Sequence, residues 1–266
     1  MISVYHKEKA ENLKQALESI WDNQTLRPSE IVLVKDGLLN QELDELIDDF
    51  SRKAPLKILS LKENLGLGKA LALGLQECSN EIIARMDSDD ISFPGRFEKQ
   101  IDFFKTNPDV SVLGGQVSEF QGDTSNVVGH RKVPKTHLQI IKFAKKRSPF
   151  NHPAVVFKKS VVLSVGNYQD FKFMEDYHLW LRIIGKGHIC ANLADEILYF
   201  RMSDDVIGRR HGWFYFKQEC RLSLLAKDLN VINIFEVALN ILLRGAPRLL
   251  PKTILKLIYI RLRQMG

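Results

Sequence analysis

The sequence predicts an α/β fold: a parallel sheet with crossover helices, then a mixed sheet, then a helical basic C-terminal segment. Three observations carry that reading. Short β-rich runs alternate with helical periodicity as far as residue 90; Pro94 opens a stretch of different character; and residues 237–266 contain six cations and no acid. Strands are expected at 2–5, 30–34, 56–61 and 81–86. Between them Leu13, Ala16, Leu17, Ile20 and Trp21 mark one helix, Leu43, Leu46, Ile47 and Phe50 a second, and Leu71 and Leu75 a third. Three βα units in this span make a Rossmann-like half. Beyond it, Pro94 stands where a first helical turn would start, with Phe97, Ile101 and Phe104 on its buried face. Strands follow at 110–113, 117–120 and 154–157, a helix at 175–185, and late strands at 189–193 and 197–201; from Gly212 the chain reads helical.

Composition bounds the class. With 266 residues, 45% hydrophobic and 26% charged, the chain is ordinary globular material. Cys78, Cys190 and Cys220 are odd in number and widely spaced, which fits a reducing compartment better than a disulfide framework or a thiolate zinc site. The N-terminus enters a strand pattern directly, without the apolar run and cleavage site of an export signal. Charges interrupt every apolar stretch long enough to span a bilayer, so the expectation is a protein that is not integral to a membrane. The six C-terminal cations, Arg244, Arg248, Lys252, Lys256, Arg261 and Arg263, equal the whole formal charge of +6. The partner implied by charge therefore meets the tail rather than the body.

Three acidic positions stand out. Arg85-Met86-Asp87-Ser88-Asp89-Asp90 sets three carboxylates directly after a buried strand, and ligand crevices of open α/β sheets lie at the carboxyl ends of strands. An Asp-x-Asp there suits a divalent cation that takes one or two carboxylates and fills its other positions with diphosphate oxygens and water. On spacing alone a solvated turn, with Asp90 or Ser92 capping the next helix, is equally compatible. Asp36 follows the apolar run 31–34 and precedes Gly37, so it shares that crevice and could accept from a nucleobase N–H, or simply serve a turn. The loop Asn64-Leu65-Gly66-Leu67-Gly68-Lys69 opens the third helix with free amides for an anion but lacks the P-loop order. Glu175-Asp176 begins the helix at 175–185, where acids most often only complement the dipole.

Read in order, these motifs resemble the family-2 glycosyltransferases of bacterial surface-polysaccharide synthesis, enzymes of GT-A fold. The resemblance spans residues 2 to about 205 and rests on Ser3-Val4-Tyr5, residues 30–37, Asn64-Leu65-Gly66, Asp87-Ser88-Asp89-Asp90, Asn151-His152-Pro153 and Glu175-Asp176-Tyr177. It implies a GT-A domain over 1–210, with a nucleotide-binding half at 1–90 and an acceptor half at 91–210, followed by a basic amphipathic membrane-associating segment at 211–266. Carried over by position, Asp36 binds a uracil-type base; Tyr5, Asn64, Gly66, Arg85, Asp87, Ser88 and Asp89 line the donor; Asp89 with Asp87 serves Mn²⁺ or Mg²⁺; and Asp176 is the general base. Glu175 and His152 fall on the acceptor side. For Arg85 a core salt bridge, and for His152 a buried structural role, remain equal alternatives. The chain departs from the family after Tyr199-Phe200-Arg201-Met202: where many members carry a histidine, Ser203-Asp204-Asp205 follows.

The implied reaction is inverting transfer of a hexose or N-acetylhexosamine, with UDP-galactose or UDP-glucose favoured, to a polyprenyl-diphosphate-linked sugar. The expected place is the cytoplasmic face of a bacterial inner membrane. Arg244, Arg248, Lys252 and Lys256 recur every four residues and are expected to line one face of an interfacial helix attracted to anionic lipid, or of a terminal helix packed on the domain. Two rivals fit less well. A nucleotidylyltransferase would want a glycine-rich loop after the first strand, where His6-Lys7-Glu8-Lys9 stands. A nucleic-acid or purely membrane-binding module would meet repulsion for a polyanion from the acids at the strand ends, so no nucleic-acid partner is expected.

Overall fold

The computed structural model describes residues 1–202 and 211–250. In chain order its elements are β1 (Ile2–Val4), α1 (Ala10–Ile20), β2 (Ile31–Lys35), α2 (Gln41–Ser51), β3 (Leu56–Ser60), α3 (Leu67–Glu77), β4 (Ile82–Ala84), β5 (Met86–Asp87), β6 (Ile91–Ser92), α4 (Arg96–Thr106), β7 (Val110–Gln121), β8 (Asp123–Arg131) and α5 (His137–Ala144). There follow β9 (Val156–Lys158), α6 (Lys159–Ser164), α7 (Glu175–Gly185), β10 (Ile189–Arg201), α8 (Trp213–Asp228) and α9 (Ile234–Asn240); a π turn (Ile241–Gly245) and a 3₁₀ turn (Ala246–Leu249) extend the last helix.

Two sheets form. The first is wholly parallel, in the order β3-β2-β1-β5, and β2 is buried along 31–34 because helices cover both faces. The second is mixed, in the order β4-β9-β7-β10-β6, with β8 hairpinned onto β7. α7 lies at the centre of the larger core: Tyr177 through Ile184 are all buried, and Trp180 is fully enclosed.

Four expectations change. The run 81–86 is two strands in different sheets. β4 pairs with β9, β5 pairs with β1, and Arg85 is the crossing residue: its amide still bonds Val155 O at 2.9 Å, while the next amide, of Met86, bonds Met1 O at 3.0 Å. Period-two patterning cannot show a change of partner inside one apolar run. The pairs 110–113/117–120 and 189–193/197–201 are single long strands, β7 and β10, joined in parallel with register shifts that break the alternation. β8, α5 and α6 were absent from the pattern, β8 because its side chains are mostly exposed. α4 begins at Arg96, not at Pro94, whose carbonyl accepts from Thr25 N at 3.0 Å.

Helix α3 approaches the parallel sheet closely because Gly74 has no Cβ; one placed there would lie 2.6 Å from Val34 Cγ2. Gly74→Val should therefore lower stability by about 1–3 kcal/mol through overpacking. A urea midpoint equal to wild type at unchanged slope would refute this close approach.

Candidate active site

The parallel register puts several sequence-predicted residues at one edge. Val4 pairs with Lys35 and Ser3 with Asp87, so Tyr5, Asp36 and Asp87 leave neighbouring strands at their carboxyl ends. Asp36 is buried, and its carboxylate accepts from Leu65 N at 2.7 Å and Gly66 N at 3.1 Å; its carbonyl accepts from Asn64 Nδ2 at 3.2 Å. The Asn64-Leu65-Gly66 loop is thus tied down by Asp36. Gly37 and Gly66 both have φ near +90° (+88° and +86°), and a Cβ on Gly37 would stand 2.8 Å from Asn64 N. Only glycine fits between these loops.

The acidic loop follows β5. One carboxylate oxygen each of Asp87, Asp89 and Asp90 lies within 4.8 Å of the others. Arg85, fully buried, forms an ion pair with Asp87. Ser88 donates from Oγ to Glu8 Oε2 at 2.9 Å, which holds a further carboxylate beside the cluster. Arg201, at the end of β10, clasps the loop from the other side. Its amide donates to Asp90 Oδ1 at 2.9 Å, its Nε to Asp89 O at 2.8 Å and its Nη2 to Gln15 Oε1 at 2.6 Å.

Burial, and then the neighbouring Asp87 and Glu8, push the Asp89 carboxyl up to about 7. Burial, Asp87 and Asp89 push Asp90 well above its ordinary value. The Oδ2 of Asp90 is buried without a hydrogen-bond partner among the described residues. Crowded carboxylates that resist ionisation, one with an unsatisfied oxygen, are the donor set a hard divalent cation takes. The residues fit such an ion, with Asp90 added to the expected Asp87 and Asp89.

Across the crevice, α7 presents Glu175 and Asp176 in its first turn. Asp176 Oδ2 accepts from Ser148 Oγ at 3.4 Å. Glu175 lies against the start of α3: a Cβ on Gly68 would stand 3.3 Å from Glu175 Cβ and 3.2 Å from Gln169 O. Its Oε2 is buried without a partner among the described residues, and burial, reinforced by Asp176, raises its carboxyl to about 7. The Arg85 guanidinium opposes that rise and the Asp87 carboxylate adds to it, so both acidic groups feel the same charges. His152 Nε2 is 3.0 Å from Tyr168 Oη, and its ring meets Trp180 edge-on. Burial, then Arg85, lowers its pKa well below the ordinary value, so this imidazole is neutral and supports Tyr168.

Sequence reading had not singled out Glu8, Ser148, Tyr168 or Arg201 for the site. Of these only Arg201 carried a signal, as the arginine closing the last strand. The expected basic stripe is corrected. Arg244 and Arg248 turn inward and pair with the buried Glu219, at 2.8 and 3.1 Å, because leaving that carboxylate alone in the core would cost more than ordering two arginines. Lys252, Lys256, Arg261 and Arg263, and the loop acids Asp204 and Asp205, lie outside the described residues.

A parallel sheet with carboxylates clustered at its strand ends, joined to a mixed sheet and to a helix that carries a second acidic pair, is the arrangement of the GT-A class of nucleotide-sugar-dependent transferases. The glycosyl transferase family 2 model matches residues 1–163, and the chain belongs to that family; it is a glycosyltransferase. It is 42% identical over 259 residues to the amylovoran biosynthesis glycosyltransferase AmsE of Erwinia amylovora, covering 97% of this chain and 96% of that one. It is 36% identical over 259 residues to the UDP-Gal:alpha-D-GlcNAc-diphosphoundecaprenol beta-1,3-galactosyltransferase of Escherichia coli, covering 97% and 94%. Among solved structures, S. aureus TarS 1-349 in complex with UDP-GlcNAc superposes with a TM-score of 0.65 at 16% identity, over 93% of this chain and 71% of that one. The mannosyltransferase PcManGT of Pyrobaculum calidifontis, in complex with GDP-Man and Mn2+, gives 0.60 at 17%, over 98% and 79%. These two likenesses establish the shared fold.

Glu175 supplies a pH test. Its folded-state value, about 7, lies above its ordinary 4.5, so the folded state holds this proton more tightly than the unfolded chain. Stability is then lost as pH rises from 4.5 to about 7 and stays reduced above it. Glu175→Gln should melt a few degrees above wild type at pH 8 and level with it at pH 4.5. A variant less stable than wild type at pH 8 would show that the carboxylate is paired instead.

Proposed function

We propose that this enzyme transfers a hexose or N-acetylhexosamine, with inversion, from a UDP-sugar to a polyprenyl-diphosphate-linked sugar during bacterial surface-polysaccharide synthesis. The observation that carries the reading is that the Asp87-Ser88-Asp89-Asp90 loop and Glu175, from opposite halves of the chain, lie near enough to one buried cation, Arg85, for it to act on both. UDP-galactose and UDP-glucose are the favoured donors. The name of the E. coli relative, a galactosyltransferase using UDP-Gal and a GlcNAc-diphosphoundecaprenol, supports both donor and acceptor class.

The chain's own groups divide the work. Tyr5 and Asp36 border the base position; Asp36 keeps lone pairs beyond those used by Leu65 and Gly66, which suits a ring N–H. The amides at the start of α3, beside Asn64 and Gly66, serve the diphosphate. Asp87, Asp89 and Asp90 would hold Mn²⁺ or Mg²⁺, which neutralises charge developing on the departing diphosphate. Arg85 pairs with Asp87 and aims it; Arg201 fixes the main chain of Asp89. Asp176 accepts the proton of the acceptor hydroxyl as that oxygen attacks the anomeric carbon from the face opposite the diphosphate, which inverts the configuration. Ser148 orients Asp176. Glu175, with its raised affinity for a proton, contacts the acceptor as a hydrogen-bond donor below about pH 7. His152 takes its place on the acceptor side by propping Tyr168.

Among the described residues no helix is long and apolar enough to cross a membrane. A peripheral position on the cytoplasmic face of the inner membrane, beside the lipid-linked acceptor, completes the reading.

The test is a donor panel with Mn²⁺ or Mg²⁺, scored for transfer to a lipid-diphosphate-linked sugar. Asp89→Ala should abolish metal-dependent turnover. Asp176→Asn should bind UDP-sugar as wild type does by calorimetry yet lose roughly 10²–10⁴-fold in kcat, the usual share of a general base. Normal turnover by Asp176→Asn removes it from the mechanism, and no transfer from any nucleotide-sugar by wild type refutes the reaction.

A further inference from the structure

The last described helix is apolar on its outer face. Along α9 and the π turn that extends it, Ile234, Phe235, Ala238, Leu239, Leu242 and Leu243 point to solvent; Phe235 is 82% exposed, Leu242 65% and Leu243 63%. They recur at the spacing of one helical face. The opposite face meets the protein through Val237 and Ile241, which pack on the larger core, and through polar groups: Asn240 donates to Lys145 O at 2.8 Å, and Arg244 and Arg248 pair with the buried Glu219. With its inward face already satisfied, a contiguous apolar outer face of this kind is built to be covered.

The patch extends onto α8. Trp213 and Phe214 at its start are more than half exposed, Trp213 stacks on Phe216 at 5.1 Å, and Phe216 packs where a Cβ on Gly245 would fall. Lys217 reaches over the Trp213 ring at 5.7 Å, a tryptophan–lysine pairing suited to a headgroup region. The surface also adjoins the acidic pair of α7. Phe214 meets Phe173 edge-on at 6.1 Å, two residues before Glu175, and the Arg244 guanidinium lies 5.3 Å from the Tyr177 ring centre, next to Asp176.

We propose that this face of α8 and α9 is the membrane-docking surface, occupied by an anionic lipid bilayer into which Phe235, Leu239, Leu242 and Leu243 insert. Charge complementarity selects that occupant. The sequence that follows, residues 251–266, carries Lys252, Lys256, Arg261 and Arg263 and no acid, and the one acid of α9, Glu236, pairs with Lys145 at 2.9 Å. Insertion by leucines, rather than attraction of Arg244 and Arg248, anchors the protein, since those two arginines are committed to Glu219. The orientation rests on the acceptor assigned under Proposed function: a lipid-linked sugar would reach Asp176 from the side that lies on the bilayer.

The test is sedimentation of full-length protein with phosphatidylglycerol/phosphatidylethanolamine vesicles, alongside turnover with a short-chain, water-soluble acceptor. F235S/L242S should lower vesicle partition at least about tenfold, since each residue removes apolar area from the inserted face. Its turnover on the soluble acceptor should equal wild type, and L138S, at a leucine 79% exposed at the start of α5 and outside α8 and α9, should partition as wild type does. Partition that survives F235S/L242S overturns the inference. So does a wild-type dimer that becomes monomeric in the same variant, which would make a second copy the occupant. Vesicle binding without transfer would refute the acceptor reading and leave the surface standing; transfer without vesicle binding would do the reverse.

Discussion

The site depends on a concentration of negative charge that the fold holds together against its own repulsion. Asp87, Asp89 and Asp90 sit within one small volume, with Glu8 beside them. Burial in a medium that screens poorly would force protons onto several of them. Arg85 is the internal counter-charge, paired with Asp87 and close enough to Asp90, Asp89 and Glu175 to lower the proton affinity of each. Its own Nε and Nη1 lack partners among the described residues, so the arrangement is not optimised for stability. It is poised for a ligand that brings both positive charge and phosphate oxygens.

Chain path explains why this charge can be placed so deeply. Residues 82–87 leave one sheet and join the other at Arg85, and the seam between two sheets is where a guanidinium can be enclosed while its carboxylate partner faces the crevice. Arg201 closes the seam from β10, with its ring-facing plane 4.6 Å from the Phe120 centroid and its donors on Asp89, Asp90 and Gln15. The two sheets are thus joined by two arginines, and the start of α3 meets α7 at the Gly68–Glu175 approach. Closing that contact with a side chain would press the segment 64–68 away from the pair of acids on α7.

The same logic recurs at the C-terminal end. Glu219 is buried and draws Arg244 and Arg248 inward, and this rotates the helix so that its leucines face out. The two arginines of the expected stripe that lie among the described residues look solvent-directed in sequence and are internal in fact. Tyr177 couples this helix to α7, so the exposed leucine face and the acidic pair of α7 are linked through Arg244.

Much of the architecture was legible beforehand because it rests on local periodicity. The apolar run at 31–34, the helical spacings of α1 to α3 and the acids at the carboxyl ends of β2 and β5 are each visible within a few residues, and the ordered motifs identified the family. What the sequence could not determine was pairing over long separations: the split at Arg85, the fusion of β7 and β10 into long bulged strands, and the clasp by Arg201 from 112 positions away. Spacing places a carboxylate on an edge, but only the folded chain decides which distant guanidinium neutralises it. Charge compensation acts through space, and that is why Arg85 and Arg201 turned out to be structural keys to the site and Arg244 and Arg248 did not become a lipid-facing stripe.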